Sequence, residues 1–138
     1  MKKVLVDLNV LLDFLAKRDK HKDAALIVSL CEEQKIIGFL AAHEITTLAY
    51  FLTKTYKNKI SSSSIINSLL DIFSTISVSE KILRDALNSN ISDFEDAVIE
   101  QSALKEKLDY IITNNISDFK KSKVKAITPG EYLTLMNI

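Results

Sequence analysis

At 138 residues, 47% hydrophobic and 26% charged, the chain has the length and composition of one globular domain with enough apolar residues for a real core. Its 18 basic and 18 acidic side chains cancel, which excludes a nucleic-acid binder working through overall charge and leaves only local clusters to do so. A lone cysteine, Cys31, excludes an internal disulfide and any multi-cysteine zinc site, and it suits the reducing cytoplasm in which we expect the protein.

The first element is a strand from Lys3 to Asp7. Met1-Lys2-Lys3 before apolar residues has the outline of a secretion signal, but Asp7, Asn9 and Asp13 interrupt the run and no small-residue cleavage site follows. An acid thus stands where a buried strand stops. In open α/β sheets ligands bind at the carboxyl ends of the strands, so Asp7 is a site candidate from its position alone. Helical patterns follow over Val10 to Ala16 and His21 to Gln34, with the basic cluster Lys17, Arg18, Lys20 and Lys22 around their junction and Cys31 as a small buried hydrophobe.

A second strand runs from Ile37 to Ala41, and a helix from Glu44 to Lys57 carries Ile45, Leu48, Ala49 and Leu52 at helical spacing. Glu44 therefore occupies a strand-to-helix junction, as Asp7 does. Tyr50, Phe51 and Tyr56 on that helix suit an interface or the core equally. The Ser61 to Ser64 run is a helix start preceded by a loop, opening a helix from Ser62 to Phe73, followed by a strand from Thr75 to Val78 and a helix from Glu80 to Leu87.

Ser92-Asp93-Phe94-Glu95 has the capping-box pattern and opens a helix from Asp93 to Lys107. The backbone dipole stabilises an acid in a first helical turn by about 0.3–1 kcal/mol, which by itself accounts for Asp93, Glu95 and Glu44. Asp96 differs, because it shares a face with Ile99 and Ala103 and so lies nearer the core than a solvated acid would. Strands from Tyr110 to Thr113 and from Val124 to Ile127 complete a set of five. Thr128-Pro129-Gly130-Glu131 is a second capping box, with Pro at the first helical position. No run approaches the ~18 apolar residues of a membrane span.

Strands alternating with helices predict an α/β fold, with a mostly parallel central sheet of about five strands covered on both faces. In such a sheet Asp7, Glu44 and Asp96 converge on one edge. Two carboxylates ~4 Å apart repel by roughly 4 kcal/mol at an effective dielectric near 20, so the cluster must gain protons or a cation. Oxygen ligands suit Mg²⁺ or Mn²⁺. Other chemistries fail on the residues: His43-Glu44-Ile45-Thr46-Thr47 has Thr47 where the HExxH zinc motif needs histidine, and there is neither a Gly-rich phosphate loop nor a nucleophile elbow. His21 and His43 are expected at the surface or at helix ends. Lys120, Lys121, Lys123 and Lys125 form a second basic run, a solvated face or a phosphate contact.

Four stretches in register carry a resemblance: Asp7-Leu8-Asn9-Val10-Leu11-Leu12-Asp13, Glu44 at a helix start, Asp93-Phe94-Glu95-Asp96-Ala97-Val98-Ile99, and Thr113-Asn114-Asn115-Ile116-Ser117-Asp118-Phe119. Together they resemble the PIN-domain family, and Val124 to Leu133 is similar to the end of such domains. The resemblance spans nearly the whole chain and implies a single PIN-like domain over 1–138, built as a three-layer α/β/α sandwich. Among chains of this length it is most similar to the VapC-type toxins of type II toxin-antitoxin pairs. That implies an endoribonuclease dependent on Mg²⁺ or Mn²⁺, an RNA substrate, an antitoxin partner and a homodimer.

Carried over by residue, the resemblance places catalytic, metal-holding acids at Asp7, Glu44 and Asp96, and a fourth metal position at Asn115, where an aspartate is commoner. Asn9 would orient Asp7, Thr113 would line the pocket, and Asp93 and Asp118 are secondary candidates. Arg18, Lys54 and Lys57 are the basic residues expected to meet RNA. A neutral Asn115 weakens a second metal site more than the first, which leaves one metal or two open. It also keeps open a PIN-like module that binds RNA or protein without cutting, and a nuclease acting on DNA.

Overall fold

The computed structural model describes all 138 residues. In chain order the elements are β1 (Lys3–Val6), α1 (Leu8–Leu15), α2 (His21–Glu32), β2 (Ile37–Ala41), α3 (Ala42–Tyr56), α4 (Lys59–Ile72), β3 (Ser74–Ile76), α5 (Glu80–Leu87), α6 (Phe94–Lys105), β4 (Tyr110–Ile112), a 3-10 turn (Ile116–Phe119), β5 (Ala126–Ile127) and α7 (Pro129–Leu135). The five strands form one sheet in the order β3-β2-β1-β4-β5, and every pairing is parallel.

Central β1 is apolar without alternation because helices cover both of its faces. Val4 and Val6 pack with residues of α1, α2, α3, α4 and α7, while Leu5 between them packs with α5 and α6. This division follows from the strand order. From β1 through β3 the sheet grows toward one edge, and β4 is then laid down on the other side of β1. Right-handed crossovers run over opposite faces for opposite directions of growth, so α5 and α6 lie across the sheet from α1 to α4. The reversal falls between β1 and β4 and opens a crevice at their carboxyl ends.

Gly38 in β2 is required by a close approach: a Cβ there would run into Cys31 Sγ and the Phe73 ring. Glycine is otherwise scarce. The chain closes five helices with Lys17, Gln34, Lys57, Lys107 and Asn137 in the left-handed region, at φ between 51° and 61°, a conformation that costs a side-chain-bearing residue about 1 kcal/mol.

Three local expectations are corrected. The helix expected from Ser62 starts three residues earlier, at Lys59, and takes in the whole serine run, because Asn58 accepts the Ile60 N–H at 2.9 Å and caps α4. Asp93, not Ser92, caps α6 by accepting the Asp96 N–H at 3.0 Å. Strands β3 and β5 are shorter and shifted relative to the sequence reading, as edge strands with one partner each. The Thr128 capping box stands as expected, with the Glu131 N–H donated to Thr128 Oγ1 at 3.1 Å.

Candidate active site

One residue separates β1 from α1, and it is Asp7. Its backbone is still extended while its side chain already caps the helix, with Oδ1 accepting the Leu8 N–H at 2.8 Å. Oδ2 accepts from Thr113 Oγ1 at 2.8 Å and from Asn9 Nδ2 at 2.9 Å. Thr113 immediately follows β4, so its contact with Asp7 ties the two strand ends at the crevice together. Asn9 Oδ1 accepts the Asn114 N–H at 3.1 Å, and Thr113 Oγ1 accepts the Asn115 N–H at 3.0 Å. The sequence reading gave Asn9 the task of orienting Asp7, and it makes that contact. Farther along α1, Asp13 accepts from the Asn114 side chain and lies 3.9 Å from Arg18.

Glu44 enters from β2. It is 2% exposed, and Oε1 accepts the Ala41 N–H at 2.8 Å, closing half of a capping box whose other half an alanine cannot supply. Its Oε2 is buried with no hydrogen-bond partner. An oxygen so placed costs about 1–3 kcal/mol, more if charged. Burial raises the Glu44 pKa well above the ordinary carboxylate value, and the nearby charges of Asp7 and Glu95 push it the same way. Burial likewise raises Asp7, against its three hydrogen bonds, with Asp118 adding repulsion.

Asp96 stands in the first turn of α6, half-buried, and its carboxyl is pushed up to about 7 by burial first and then by Asp93, Asp7, Asp118 and Glu95. Asp7, Glu44 and Asp96 thus come from three elements that meet at the crevice, and the Asp7 charge raises the proton affinity of both Glu44 and Asp96. As placed, no three acids stand at the spacing of direct ligands around one point.

Among the secondary candidates, Asp118 on the 3-10 turn is exposed, but its charge reaches both Asp7 and Asp96. Asn115 is exposed, and its backbone rather than its side chain takes part in the network. Asp93 is the α6 cap and repels Asp96. Lys54 lies toward the far end of α3 from Glu44, ten residues or about 15 Å along the helix, and Lys57 just past that end. Lys54 sits over the Tyr50 ring, 5.7 Å from its centroid. Tyr50, Phe51 and Tyr56 are exposed, which settles their position against the core.

Two residues escaped the sequence reading. Glu95 was assigned only to the helix dipole, yet its charge acts on Glu44, Asp96 and His43. His43 is half-buried with an unpartnered Nδ1, and burial lowers its pKa while Glu95 raises it. Its place beside Glu44 at a helix start was the available signal. Chemistry rather than volume marks this site, since a groove of about 750 Å³ between α2 and α7 contains none of these residues.

The chain is similar to several solved structures. VapBC2 from Rickettsia felis, bound to a DNA fragment from its promoter, has a chain 20% identical with a TM-score of 0.67, covering 91% of this chain and 98% of that one. A toxin-antitoxin complex from Klebsiella pneumoniae is 21% identical at a TM-score of 0.68, over 91% and 97% of the two chains. VapC20 from Mycobacterium tuberculosis, a toxin that cleaves the sarcin-ricin loop, is 14% identical at 0.64, over 88% and 98%. These likenesses are of fold. No curated protein matches the chain in sequence. The PIN domain model matches residues 3–117, a span that takes in Asp7, Glu44, Asp96, Thr113 and Asn115 in order; the chain belongs to the PIN domain family.

Proposed function

We propose that this protein is an endoribonuclease dependent on Mg²⁺ or Mn²⁺, acting as the toxin of a toxin-antitoxin pair. The observation that carries the reading is the buried, unpartnered Oε2 of Glu44 within charge reach of Asp7. A buried acid short of donors and beside another acid is held at a cost that a cation removes. The donor set fits a hard divalent ion, because it is all oxygen and includes that unsatisfied one.

Asp7, Glu44 and Asp96 would hold the ion, with Asn115 and Asp118 at the margin. When bound, the ion polarises a phosphate oxygen and lowers the pKa of water, the two needs of phosphodiester hydrolysis. Thr113 and Asn9 fix the Asp7 carboxylate in one orientation through hydrogen bonds of 2.8 and 2.9 Å. Asp118 strengthens the negative field at Asp7, and Glu95 that at Glu44. Arg18, Lys54 and Lys57 supply exposed positive charge for the RNA backbone.

Two of the similar structures are toxin-antitoxin complexes by name, which supports an antitoxin partner for this chain. Exposed Tyr50 and Phe51, packed edge to face at 5.8 Å, support a homodimer through α3. No helix is long and apolar enough to cross a membrane, and a cytoplasmic site of action goes with the free, buried Cys31.

The decisive experiment is cleavage of a mixed structured RNA pool by the purified protein with Mn²⁺ or Mg²⁺, beside a chelator control and an Asp96→Asn variant. Cleavage lost in both controls supports the reading. A second reading, a PIN fold that binds RNA or protein without cutting, is favoured by the neutral Asn115 and by the absence of three acids at ligand spacing. Calorimetric titration with Mn²⁺ separates the two, because tight binding is required only by the nuclease.

A further inference from the structure

From Ile45 to Leu70 the chain carries three lysines, Lys54, Lys57 and Lys59, and no acid. In a protein of zero net charge this is an uneven allocation, and it coincides with the α3 and α4 hairpin. Between the two helices lies a groove of about 430 Å³ lined by Thr53 from α3 and by Lys59, Ser62, Ser63 and Asn67 from α4, with Ala49 and Ile66 at its floor and wall. Every polar group in it is a hydroxyl, an amide or an ammonium. Lys59 has no ion-pair partner.

The groove includes the first turn of α4, where Asn58 takes the Ile60 and Ser62 N–H groups and those of Lys59 and Ser61, with the helix dipole, are left to favour an anion. A second observation at the same place is independent of the helix end. Ser62 is 5% exposed and its Oγ is buried without a partner, although it lines the groove. A serine inside a helix ordinarily returns its hydroxyl to the carbonyl four residues back. Here the Asn58 carbonyl accepts the Ser62 N–H at 3.2 Å but not its hydroxyl, whereas in the same helix Ser68 Oγ does bond the Ser64 carbonyl.

We propose that the groove between α3 and α4 is a phosphate subsite, in which Lys59, the Ser62 and Ser63 hydroxyls, Thr53 and Asn67 hold the backbone of a single-stranded RNA apart from the acids. The inference rests on the RNA-directed reading above. Thr53 lies nine residues beyond Glu44 on α3, about 14 Å along the axis, so one strand reaches both places across a few nucleotides. The subsite reads no base. It supplies affinity and register, as phosphate contacts do.

The test measures binding of a short mixed-sequence single-stranded RNA, with chelator present, across a series of salt concentrations. Lys59→Gln is expected to weaken binding by roughly threefold to tenfold at low salt and to reduce the slope of log affinity against log salt by about 0.7, one phosphate contact. Ser62→Ala is expected to weaken binding severalfold at unchanged slope, because it removes a hydrogen bond and no charge. Backbone amide signals of Thr53, Lys59 to Ser63 and Asn67 are followed in the parent during the RNA titration.

Shifts at these residues with both variant effects establish the subsite. Variants that match the parent in affinity and slope overturn it, as do signals that stay fixed while RNA binds elsewhere. Signals that move with protein concentration and not with RNA also overturn it, and assign the groove to a contact between copies. Cleavage of RNA with Mn²⁺ is read separately. A parent that cuts but does not use the groove loses only the subsite; one that binds RNA in the groove and never cuts loses only the nuclease reading.

Discussion

Glu44 and Glu100 are both buried glutamates, at 2% and 1% exposure, yet they are opposites in their partners. Glu100 on α6 accepts from Ser89 Oγ at 2.6 Å, Gln101 Nε2 at 2.9 Å and the Lys123 N–H at 2.8 Å, so both of its oxygens are used. Glu44 accepts one backbone N–H and leaves an oxygen bare. Burial is therefore no sign of function by itself. Around Glu100 the chain brought donors from positions 11 residues before it and 23 after it to hold two loops against α6. Around Glu44 it brought other acids.

The comparison predicts opposite signs for the same substitution, and the Glu100 side is the larger effect. Glu100→Gln swaps an oxygen for a donor opposite existing donors, and should destabilise the fold by about 2–4 kcal/mol in urea unfolding. Glu44→Gln should leave stability unchanged or raise it by up to ~1 kcal/mol, because it removes a repelled charge. If the two variants lose equal stability, the distinction between a satisfied and an unsatisfied carboxylate has no energetic content here.

Activity should reverse that order. Asp7→Asn is expected to lower RNA cleavage by about 100-fold or more, and, because its amide would face the donors Leu8 N–H, Asn9 Nδ2 or Thr113 Oγ1, it is not expected to gain the stability that Glu44→Gln does. Excess Mn²⁺ should stabilise the parent by about 2.7 kcal/mol at a hundred times its dissociation constant and leave Asp7→Asn nearly unmoved. Glu100→Gln, assayed where it remains folded, should cut normally. An Asp7→Asn protein as active as the parent removes Asp7 from the mechanism.

Much of this was legible in the sequence, and the limits are physical. Asp7 and Glu44 were visible because a strand end and a helix start are written in local pattern, and Asp96 because its spacing from Ile99 and Ala103 places it on a buried face. The cap at Asp93 was missed by one residue, since Ser92 and Asp93 both have the chemistry of a cap and only backbone geometry chooses. The start of α4 was placed at Ser62, three residues late, because serine has modest helix propensity, and Asn58 caps the helix from outside the run. Glu100 gave no signal at all. Its meaning depends on Ser89 and Lys123, which the fold alone brings to it, and the same is true of the charge that Glu95 and Asp118 place on the acids.

A pH series sharpens the comparison more gently. The Asp96 carboxyl binds its proton more tightly folded than unfolded, with its ordinary 3.8 raised to about 7, and Asp7 and Glu44 are raised too. The folded chain then holds protons that the unfolded chain releases. Stability from these groups is full below the unfolded value and is lost as pH climbs toward the folded one. The metal-free parent should therefore melt a few degrees lower at about pH 8 than at about pH 5, by a difference that shrinks in Asp96→Asn. An unchanged difference in that variant would assign the pH effect to other groups.

The smallest effect comes from a position that belongs to neither region. Gln34 ends α2 with φ 58°, a conformation that glycine adopts without the Cβ penalty, and its side chain is exposed. Gln34→Gly should gain about 0.5–1 kcal/mol from relief of that strain, less the extra freedom glycine gives the unfolded chain. Because the gain is global and touches neither glutamate, it should add the same increment to the parent, to Glu44→Gln and to Glu100→Gln. The gap between the two glutamate variants must stay constant on this background. A gap that narrows would mean that the loss at Glu100 reports partial unfolding of a marginal chain, not the three hydrogen bonds that separate it from Glu44.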